Sequence, residues 1–492
     1  GECMNYYNTH SVSPLIIAHN KDQTREINGD EFNQQIQKVV KILQSFNGKC
    51  IAYKLDNTPA WLVIDAATAV SNKVAVPIAH FFSEQQTQYV LAQCGANLFM
   101  SDTLNPLLGE PTASITLFEF YTLYIYEIVV AKPVSYFPET QKVTFTSGST
   151  GQPKGVCLSA KSQMQVAQSL CDKINIKKPV HLCLLPLAVL LENIAGVYAP
   201  LKSGGTVHLM PLNELGFVGT ALKQPAQLIA AIDKVKPNTL ILVPELLACL
   251  VAFAEQGWQL PSSLQFIAVG GARVSEMLIV KARGLNLPVY QGYGLSEAAS
   301  VVSLNTPTND NIHSAGSVLP HIQTKIENDQ LFIKGDLFLG YLNHQPHNKD
   351  QWYATGDLVE QRQNTLFIKG RLKNLIITSM GRNISAEWPE SLLLSQSGIL
   401  QAVVFGEGRP FLSAIIYADT KLSNPVLAQY INEINKQLPD YARIQKWHRL
   451  AAPLSVQQGL LTTNNRAKRD AISKQYHAVF EQFYRLGEVI NE

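Results

Sequence analysis

The chain has 492 residues, 46% of them hydrophobic and 16% charged. At about 150 residues per domain that is about three domains, or one large and one small, with enough apolar material for a sizeable core, which excludes wholesale disorder. Lys and Arg total 40 against 38 Asp and Glu, a formal net charge of +2. No strong basic field is available, which argues against a dedicated nucleic-acid binder.

The opening Gly-Glu-Cys-Met has no basic region followed by an apolar run, so no signal peptide is expected. Glu31–Phe46 carries Phe32, Ile36, Val39, Val40 and Leu43 at helical spacing. Cys50–Leu55 reads as a buried strand, Trp61–Ser71 as a helix, Val74–Ile78 as a strand, Ser83–Cys94 as a helix and Asn97–Met100 as a strand. The rhythm returns with a helix at Ser162–Ile174, a strand at His181–Leu184, a helix at Gln227–Val235 and a strand at Thr239–Val243. Phe266–Gly270 is the next strand and Val274–Arg283 the next helix. Such alternation predicts a mainly parallel sheet with helices on both faces. The longest apolar stretches, Leu117–Ala131 and Leu182–Leu201, are interrupted by Glu119, Glu127, Pro186, Glu192, Asn193 and Pro200. Neither offers the roughly 20 clean apolar residues of a membrane span.

After about residue 310 the texture changes to short strands, Thr324–Glu327, Gln330–Lys334, Leu358–Gln361 and Thr365–Lys369, which predict a small antiparallel sheet or barrel. From Gly370 onward a separate mixed pattern begins, with strands at Ala402–Phe405 and Leu412–Ala418 and helices at Val426–Leu438 and Ala467–Leu486. The expected fold class is therefore α/β: a large N-terminal region (1–369) of layered, mainly parallel sheets with helices and a small β-barrel-like part, then a small mobile α+β C-terminal domain (370–492). Seven cysteines, with no C-x-x-C pair and none beyond Cys249, argue against a disulfide framework or zinc site and favour a reducing, cytoplasmic setting.

The segment richest in chemistry is Thr144-Phe-Thr-Ser-Gly-Ser-Thr-Gly-Gln-Pro-Lys-Gly155. It packs the hydroxyls of Thr146, Ser147, Ser149 and Thr150 with Gly148, Gly151 and Lys154. Glycines let backbone N–H groups turn toward an anion, hydroxyls add donors, and the lysine supplies charge for phosphate. It is not a Walker loop, because the G-x-x-x-x-G-K-[ST] spacing is absent. A polar surface turn is the bland alternative.

This stretch resembles the phosphate loop of the adenylate-forming superfamily, which includes the acyl-CoA synthetases. Members activate a carboxylate with ATP as an acyl-adenylate, and most then pass the acyl group to a thiol. Further segments resemble that family in the expected order. Val269-Gly-Gly-Ala272 is similar to its strand-end glycines beside adenine, implying Gly270, Gly271 and Ala272 as nucleotide contacts. Tyr290-Gln-Gly-Tyr-Gly-Leu-Ser-Glu297 resembles its Tyr-Gly-x-Thr-Glu motif. By that likeness Gln291, Gly292, Tyr293 and Gly294 border the adenine, with Tyr293 stacked on it. Ser296 meets phosphate, and Glu297 holds Mg²⁺ together with Thr146. An aromatic face suits a purine, and a carboxylate suits a hard cation bridging phosphates.

Tyr353-Ala-Thr-Gly-Asp-Leu358 resembles the family's ribose segment, with Asp357 accepting both ribose hydroxyls. Gly370-Arg-Leu-Lys-Asn374 resembles the interdomain hinge, with Arg371 toward ribose or phosphates and Lys373 the pivot. In Met380-Gly-Arg-Asn-Ile384, Gly381 would line a pantetheine tunnel. Leu185-Pro-Leu187 with Glu192, Phe405-Gly-Glu-Gly-Arg-Pro-Phe-Leu412, Leu438-Pro-Asp-Tyr441 and Gly459-Leu-Leu-Thr462 lean toward the long-chain fatty acid branch. The resemblance thus implies a medium- or long-chain fatty acid–CoA ligase using ATP, Mg²⁺ and coenzyme A, with Val189, Leu190 and Gly271 walling an acyl pocket. An acyl carrier protein is the alternative acceptor. A peripheral membrane contact is left open, although no basic amphipathic helix stands out at either end.

Three positions depart from the pattern. Ser296 replaces the usual Thr and keeps the hydroxyl. Val189 stands where the branch often has His, implying a more apolar pocket or simple core packing. The family also places a catalytic lysine three residues before an arginine. Aligning Asn464-Asn-Arg-Ala-Lys-Arg469 through Arg469 puts Arg466 there instead. Arg keeps the charge but is not a conservative replacement at a tight site. Three readings follow: Arg466 does the lysine's work alongside Lys154, Thr146 and Glu297; Lys468 does it after a local shift; or the chain is a degenerate, non-catalytic acyl- or nucleotide-binding paralogue. Within a helix Lys468 would project about 200° from Arg466, whereas in a strand the two would share a face.

Overall fold

The long helix Gly29–Gln44 shows how these sequences commit locally. Its apolar positions Phe32, Ile36, Val39, Val40 and Leu43 are all buried on one stripe. The Asn28 side chain caps the start by accepting from the Glu31 amide, and Asp30, Glu31 and Lys41 sit at the ends that suit their charge. The next helix, Pro59–Val70, is apolar all round and correspondingly buried almost throughout. In this computed structural model, residues 6–7, 13–146, 153–270, 274–379, 382–462 and 465–488 are described.

Two large sheets organise the described residues up to 371. In the larger, thirteen-stranded sheet, Ile16–Asn20, Thr206–Leu209, Val180–Leu182, Thr239–Leu242, Phe266–Val269 and Val289–Leu295 run parallel. The second has eight strands, with Val74–Pro77, Cys50–Lys54 and Leu98–Ser101 parallel at its centre. Apolar side chains of both sheets and their helices share one core that includes Trp61, Ile51, Tyr198 and Phe266. Residues 376–484 form two cores of their own around the three-stranded sheet Ile399–Phe405, Leu412–Ala418 and Ile444–Arg449. The expected α/β class with a large sheet-rich region and a small following one is what the fold has. Among the described residues no helix is long and apolar enough to cross a membrane.

Two expectations need correction, the barrel and the last helix, and one apolar stretch takes a form the sequence did not signal. The short strands after residue 310 do not close into a barrel. Ile322–Glu327, Gln330–Gly335, Tyr353–Arg362, Thr365–Arg371 and Ser317–Val318 extend the larger sheet as an antiparallel wing, joined through Ser300–Leu304. The apolar stretch Leu117–Ala131 belongs to a hairpin, Ala113–Leu117 with Tyr121–Glu127. Its turn holds Phe118 and Glu119 at positive φ, a conformation that sequence normally signals with Asn or Gly. Finally, Ala467–Leu486 is two helices, Arg469–Gln475 and His477–Glu488. Ala467 bridges Leu461, and the Lys468 amide bonds Leu460 O, so residues 466–468 are not helical.

Candidate active site

The parallel strands Thr239–Leu242, Phe266–Val269 and Val289–Leu295 end side by side, the place where open α/β sheets present their loops to ligands. A cavity of about 1050 Å³ lies there. Its lining divides by chemistry. Lys154, Ser296, Glu297, Asp357, Arg371, Lys373 and Arg466 supply charge and hydrogen bonds, while Leu184, Leu185, Val189, Leu190, Ile241 and Phe266 belong to an extended apolar wall.

Each polar group is set by a local device. Strands Thr140–Thr146 and Lys154–Ser159 pair antiparallel with Thr146 opposite Lys154, closing the base of the hydroxyl-rich loop. Ser147, Gly148, Ser149, Thr150 and Gly151 of that loop, together with Gly271, Ala272 and Gly381, lie outside the described residues, as does the Thr146 side chain. The Lys154 ammonium stands 5.0 Å above the Tyr341 ring. Tyr293 and Glu297 follow from the strand Val289–Leu295 and the single turn after it. That strand needs glycine for sheet packing: a Cβ on Gly294 would come 1.7 Å from Ser300 O.

Asp357 is presented by the strand Tyr353–Arg362, just after an irregular step at Gly356. Gly356 has φ 73°, and the Asp357 amide donates to Thr355 Oγ1 at 3.1 Å. The carboxylate is buried, accepts from the Tyr293 hydroxyl on Oδ2, and has Arg371 Nε 3.5 Å from Oδ1. Burial raises its pKa, against the opposing pull of Arg371, the Tyr293 hydrogen bond and Arg466. Each carboxylate oxygen retains a lone pair after these contacts, so acceptance from a diol remains open. Tyr293 therefore serves Asp357 as well as presenting its ring.

The C-terminal region completes the polar side. Asn465 Nδ2 reaches Thr220 Oγ1 at 3.4 Å, on the turn between strands Phe217–Val218 and Ala221–Leu222. Arg466 beside it is accessible through the cavity yet ringed by protein. Burial and Arg371 lower its pKa, and Asp357 raises it. Lys373 is lowered by burial, then by Arg371 and Arg466. Arg371, Lys373 and Arg466 disfavour one another's charge beside Asp357 and Glu387, an arrangement that favours an anion among the cations.

Of the expected residues, Lys154, Val189, Leu190, Gly270, Gly292, Tyr293, Gly294, Ser296, Glu297, Asp357, Arg371, Lys373 and Arg466 line this one cavity. Gln291 does not; its carbonyl accepts from Asn305 N and Nδ2, both at 3.0 Å, which ties the strand to its neighbour. The ground for discounting Lys468 also changes. Its segment is extended, so the 200° separation does not apply; what distinguishes the two is that Arg466 lines the cavity and Lys468 does not. Sequence reading gave no role to Tyr341 or Tyr353, whose hydroxyls chain to Glu297. Nothing in spacing or composition marks them.

Glu192 has a structural duty. Its Oε1 accepts from the Leu184 and Leu185 amides at 2.9 and 3.1 Å, and its Oε2 meets His181 Nε2 at 2.9 Å, so it shapes the loop that carries Leu185-Pro-Leu187. His181, Cys183 and Glu192 are close enough to suggest a metal trio. His181 Nδ1 is bonded to Thr239 Oγ1 and both carboxylate oxygens are engaged, so hydrogen bonding accounts for the cluster. Glu297 is different. Oε1 accepts from Tyr341 at 2.8 Å, Glu297 and Lys154 both line the cavity, and one carboxylate plus substrate phosphates is a usual donor set for Mg²⁺. The residues fit that ion.

Comparison with known proteins places these observations. The model of the AMP-binding enzyme family matches residues 9–337, and that of the AMP-binding enzyme C-terminal domain matches 373–488. A long-chain-fatty-acid–CoA ligase of Xenopus laevis is 21% identical, with 87% of this chain and 75% of the relative covered. The 2-succinylbenzoate–CoA ligase of Bacillus velezensis is 24% identical over 84% of this chain and 86% of its own. Among solved structures, o-succinylbenzoate CoA synthetase of Bacillus subtilis superposes with its acyl-adenylate intermediate bound at TM-score 0.74 and 21% identity, covering 93% of this chain and 94% of its own. The same enzyme with ATP and magnesium ion gives 0.72, at 21% identity and 93% and 96% coverage.

Proposed function

The chain belongs to the AMP-binding enzyme family, and from that premise we propose that it is an acid–CoA ligase that activates a medium- or long-chain fatty acid with ATP and then transfers the acyl group to coenzyme A. The observation that carries this reading is the single cavity in which Lys154, Glu297, Asp357, Arg371 and Arg466 adjoin an apolar wall. ATP phosphates would lie against the Thr146–Lys154 loop, including Ser147, Gly148, Ser149, Thr150 and Gly151. Adenine would sit near Gly270–Ala272 and Tyr293, and ribose on Asp357. Mg²⁺, which the related synthetase carries with ATP, would be held by Glu297 and Thr146 and would neutralise phosphate charge.

A substrate carboxylate oxygen attacks the α-phosphorus, forming a C–O–P link while the bond to the β-phosphate oxygen breaks and pyrophosphate departs. The chain's own work is positional and electrostatic. Arg466 clamps the carboxylate against phosphate, and Lys154 and Arg371 offset developing charge. The thiolate sulfur of coenzyme A then attacks the acyl carbon and AMP leaves. For that step we propose that the lid (370–492) turns on Lys373 and brings Gly381 to the thiol channel, a gating motion.

The names of the fatty-acid-ligase relatives and the apolar lining around Val189 and Leu190 support a fatty acyl substrate, with Gly271 proposed as a further wall of that pocket. A second reading, an aromatic acid, is supported by the succinylbenzoate ligase relative. The acceptor in these names is coenzyme A, and an acyl carrier protein finds no support among them. The test is carboxylate-dependent ATP–pyrophosphate exchange over a panel of fatty acids from short to long chain and aromatic acids. Exchange with a medium or long fatty acid is expected. Exchange confined to aromatic acids selects the second reading, and none at all favours the degenerate paralogue.

A further inference from the structure

Tyr341 touches three parts of the cavity at once. It pairs with Val156 in the antiparallel ladder between Gly340–Tyr341 and Lys154–Ser159, so Lys154 is its diagonal neighbour two residues along, within reach of an aromatic ring. The Lys154 Nζ stands 5.0 Å over that ring. At the other end the Tyr341 hydroxyl donates to Glu297 Oε1 at 2.8 Å and lies 2.9 Å from the Tyr353 hydroxyl. Because Tyr341 gives its one proton to Glu297, Tyr353 must donate to Tyr341. Tyr353 begins the strand Tyr353–Arg362 that carries Asp357. Phe338 packs edge-on against both rings, with centroids 4.9 and 5.2 Å away, and fixes their planes.

We propose that Tyr341 is a positioning residue for metal–nucleotide binding: its hydroxyl fixes the Glu297 carboxylate for the cation while its ring holds the Lys154 ammonium toward phosphate. The relay Tyr353 → Tyr341 → Glu297 occupies one carboxylate oxygen and so dictates which oxygen meets the cation. The proposal rests on the nucleotide-site reading given above.

The test is calorimetric titration of the full-length protein with ATP, once in EDTA and once with magnesium. Tyr341→Phe keeps the ring and removes the hydroxyl. ATP affinity in EDTA should stay within about twofold, while the gain on adding magnesium should fall by about tenfold, the loss of one hydrogen bond to a charged group. Tyr341→Leu removes the ring as well and should weaken ATP several-fold, about three- to tenfold, even in EDTA. Tyr353→Phe, which leaves Glu297 untouched, should lower the magnesium gain by a smaller factor. It reads the relay should the Tyr341 variants melt early by circular dichroism. A merely structural tyrosine would alter stability without separating the EDTA and magnesium titrations. Wild-type binding with an unchanged magnesium gain in Tyr341→Phe, or in Tyr353→Phe where only that variant folds, overturns the role of Tyr341 and leaves the nucleotide site standing. No ATP binding by the wild type overturns both.

Discussion

Arg469 is held by Glu390 through Nη2 and by the Val404 carbonyl through Nη1, and this anchorage sets Arg466, three residues earlier, into the cavity that Asp357 and Arg371 also line. The spacing matters because the connecting residues are extended rather than helical: the register from the anchor fixes which cation faces inward. Arg466→Ala should lower ATP–pyrophosphate exchange by about 10²–10³, the usual loss when a charge-stabilising donor is removed. Lys468→Ala should stay within about threefold of wild type, as a charge outside the cavity should. Arg466→Lys should retain most of the exchange if point charge suffices. The opposite ordering of the two alanine variants would show that Lys468, not Arg466, meets the carboxylate.

The Asp357 environment predicts a pH limb. Burial lifts its carboxyl above the ordinary Asp range. A protonated Asp357 has fewer acceptor sites and no longer attracts Arg371, so nucleotide affinity should fall as pH drops through the raised value. In the wild type the acid limb of ATP affinity should therefore lie above that of an ordinary Asp, which titrates at about 3.9. Asp357→Asn should bind ATP about tenfold more weakly at neutral pH and lose that limb. A wild-type limb at or below the ordinary value would contradict the assignment.

What could be read in the sequence was whatever depends on neighbours along the chain. Parallel strands such as Cys50–Lys54 and Thr239–Leu242 announce themselves by apolar runs, and helices such as Gly29–Gln44 by periodicity and caps. Lys154, Glu297 and Asp357 were marked by their ordered motifs, and the cavity gathers all three. Tyr341 was silent because its partners stand at positions 154, 297 and 353, and only the sheet register brings them together. The antiparallel pairing after residue 310 is legible in the sequence, but whether those strands close into a barrel is not, because edge closure depends on which strands meet. Residues 466–468 were misjudged because a long-range bridge, Leu461 to Ala467, overrides a stretch that reads as helix.

Within the core, Lys142 and Asp65 form an ion pair of 3.0 Å with both side chains essentially inaccessible. Lys142 also donates to Asn193 Oδ1 and the Tyr198 hydroxyl, each at 2.6 Å, and Asp65 accepts from Tyr53 at 2.9 Å. The pair ties the strand leading into the Thr146 loop to the buried helix Pro59–Val70. Removing one partner strands the other in a dry site. Lys142→Met alone should cost about 3–5 kcal/mol, and the double replacement Lys142→Met with Asp65→Leu should recover part of that loss. Denaturant midpoints of the single and double variants measure the difference; equal midpoints for wild type and Lys142→Met would mean the pair contributes nothing.

His19 and His208 give the molecule an acid-sensitive seam. Their rings share one hydrogen bond of 2.9 Å between Nε2 and Nδ1, across adjacent strands of the larger sheet. Burial lowers both pKa values to about 4, with Lys234 adding to the effect at His19, and His19 and His181 adding to it at His208. The unfolded chain takes up these protons near pH 6.5 while the folded chain resists until about pH 4, so the unfolded state binds more protons in that window. Stability should therefore be unaffected by the pair above pH 6.5 and should fall as pH drops from 6.5 toward 4. The loss is up to about 3 kcal/mol per histidine if each shift is fully expressed. Melting temperatures measured across that range for wild type and His208→Gln test this: the wild type should lose more than the variant. Parallel curves would remove the pair from the account of acid sensitivity.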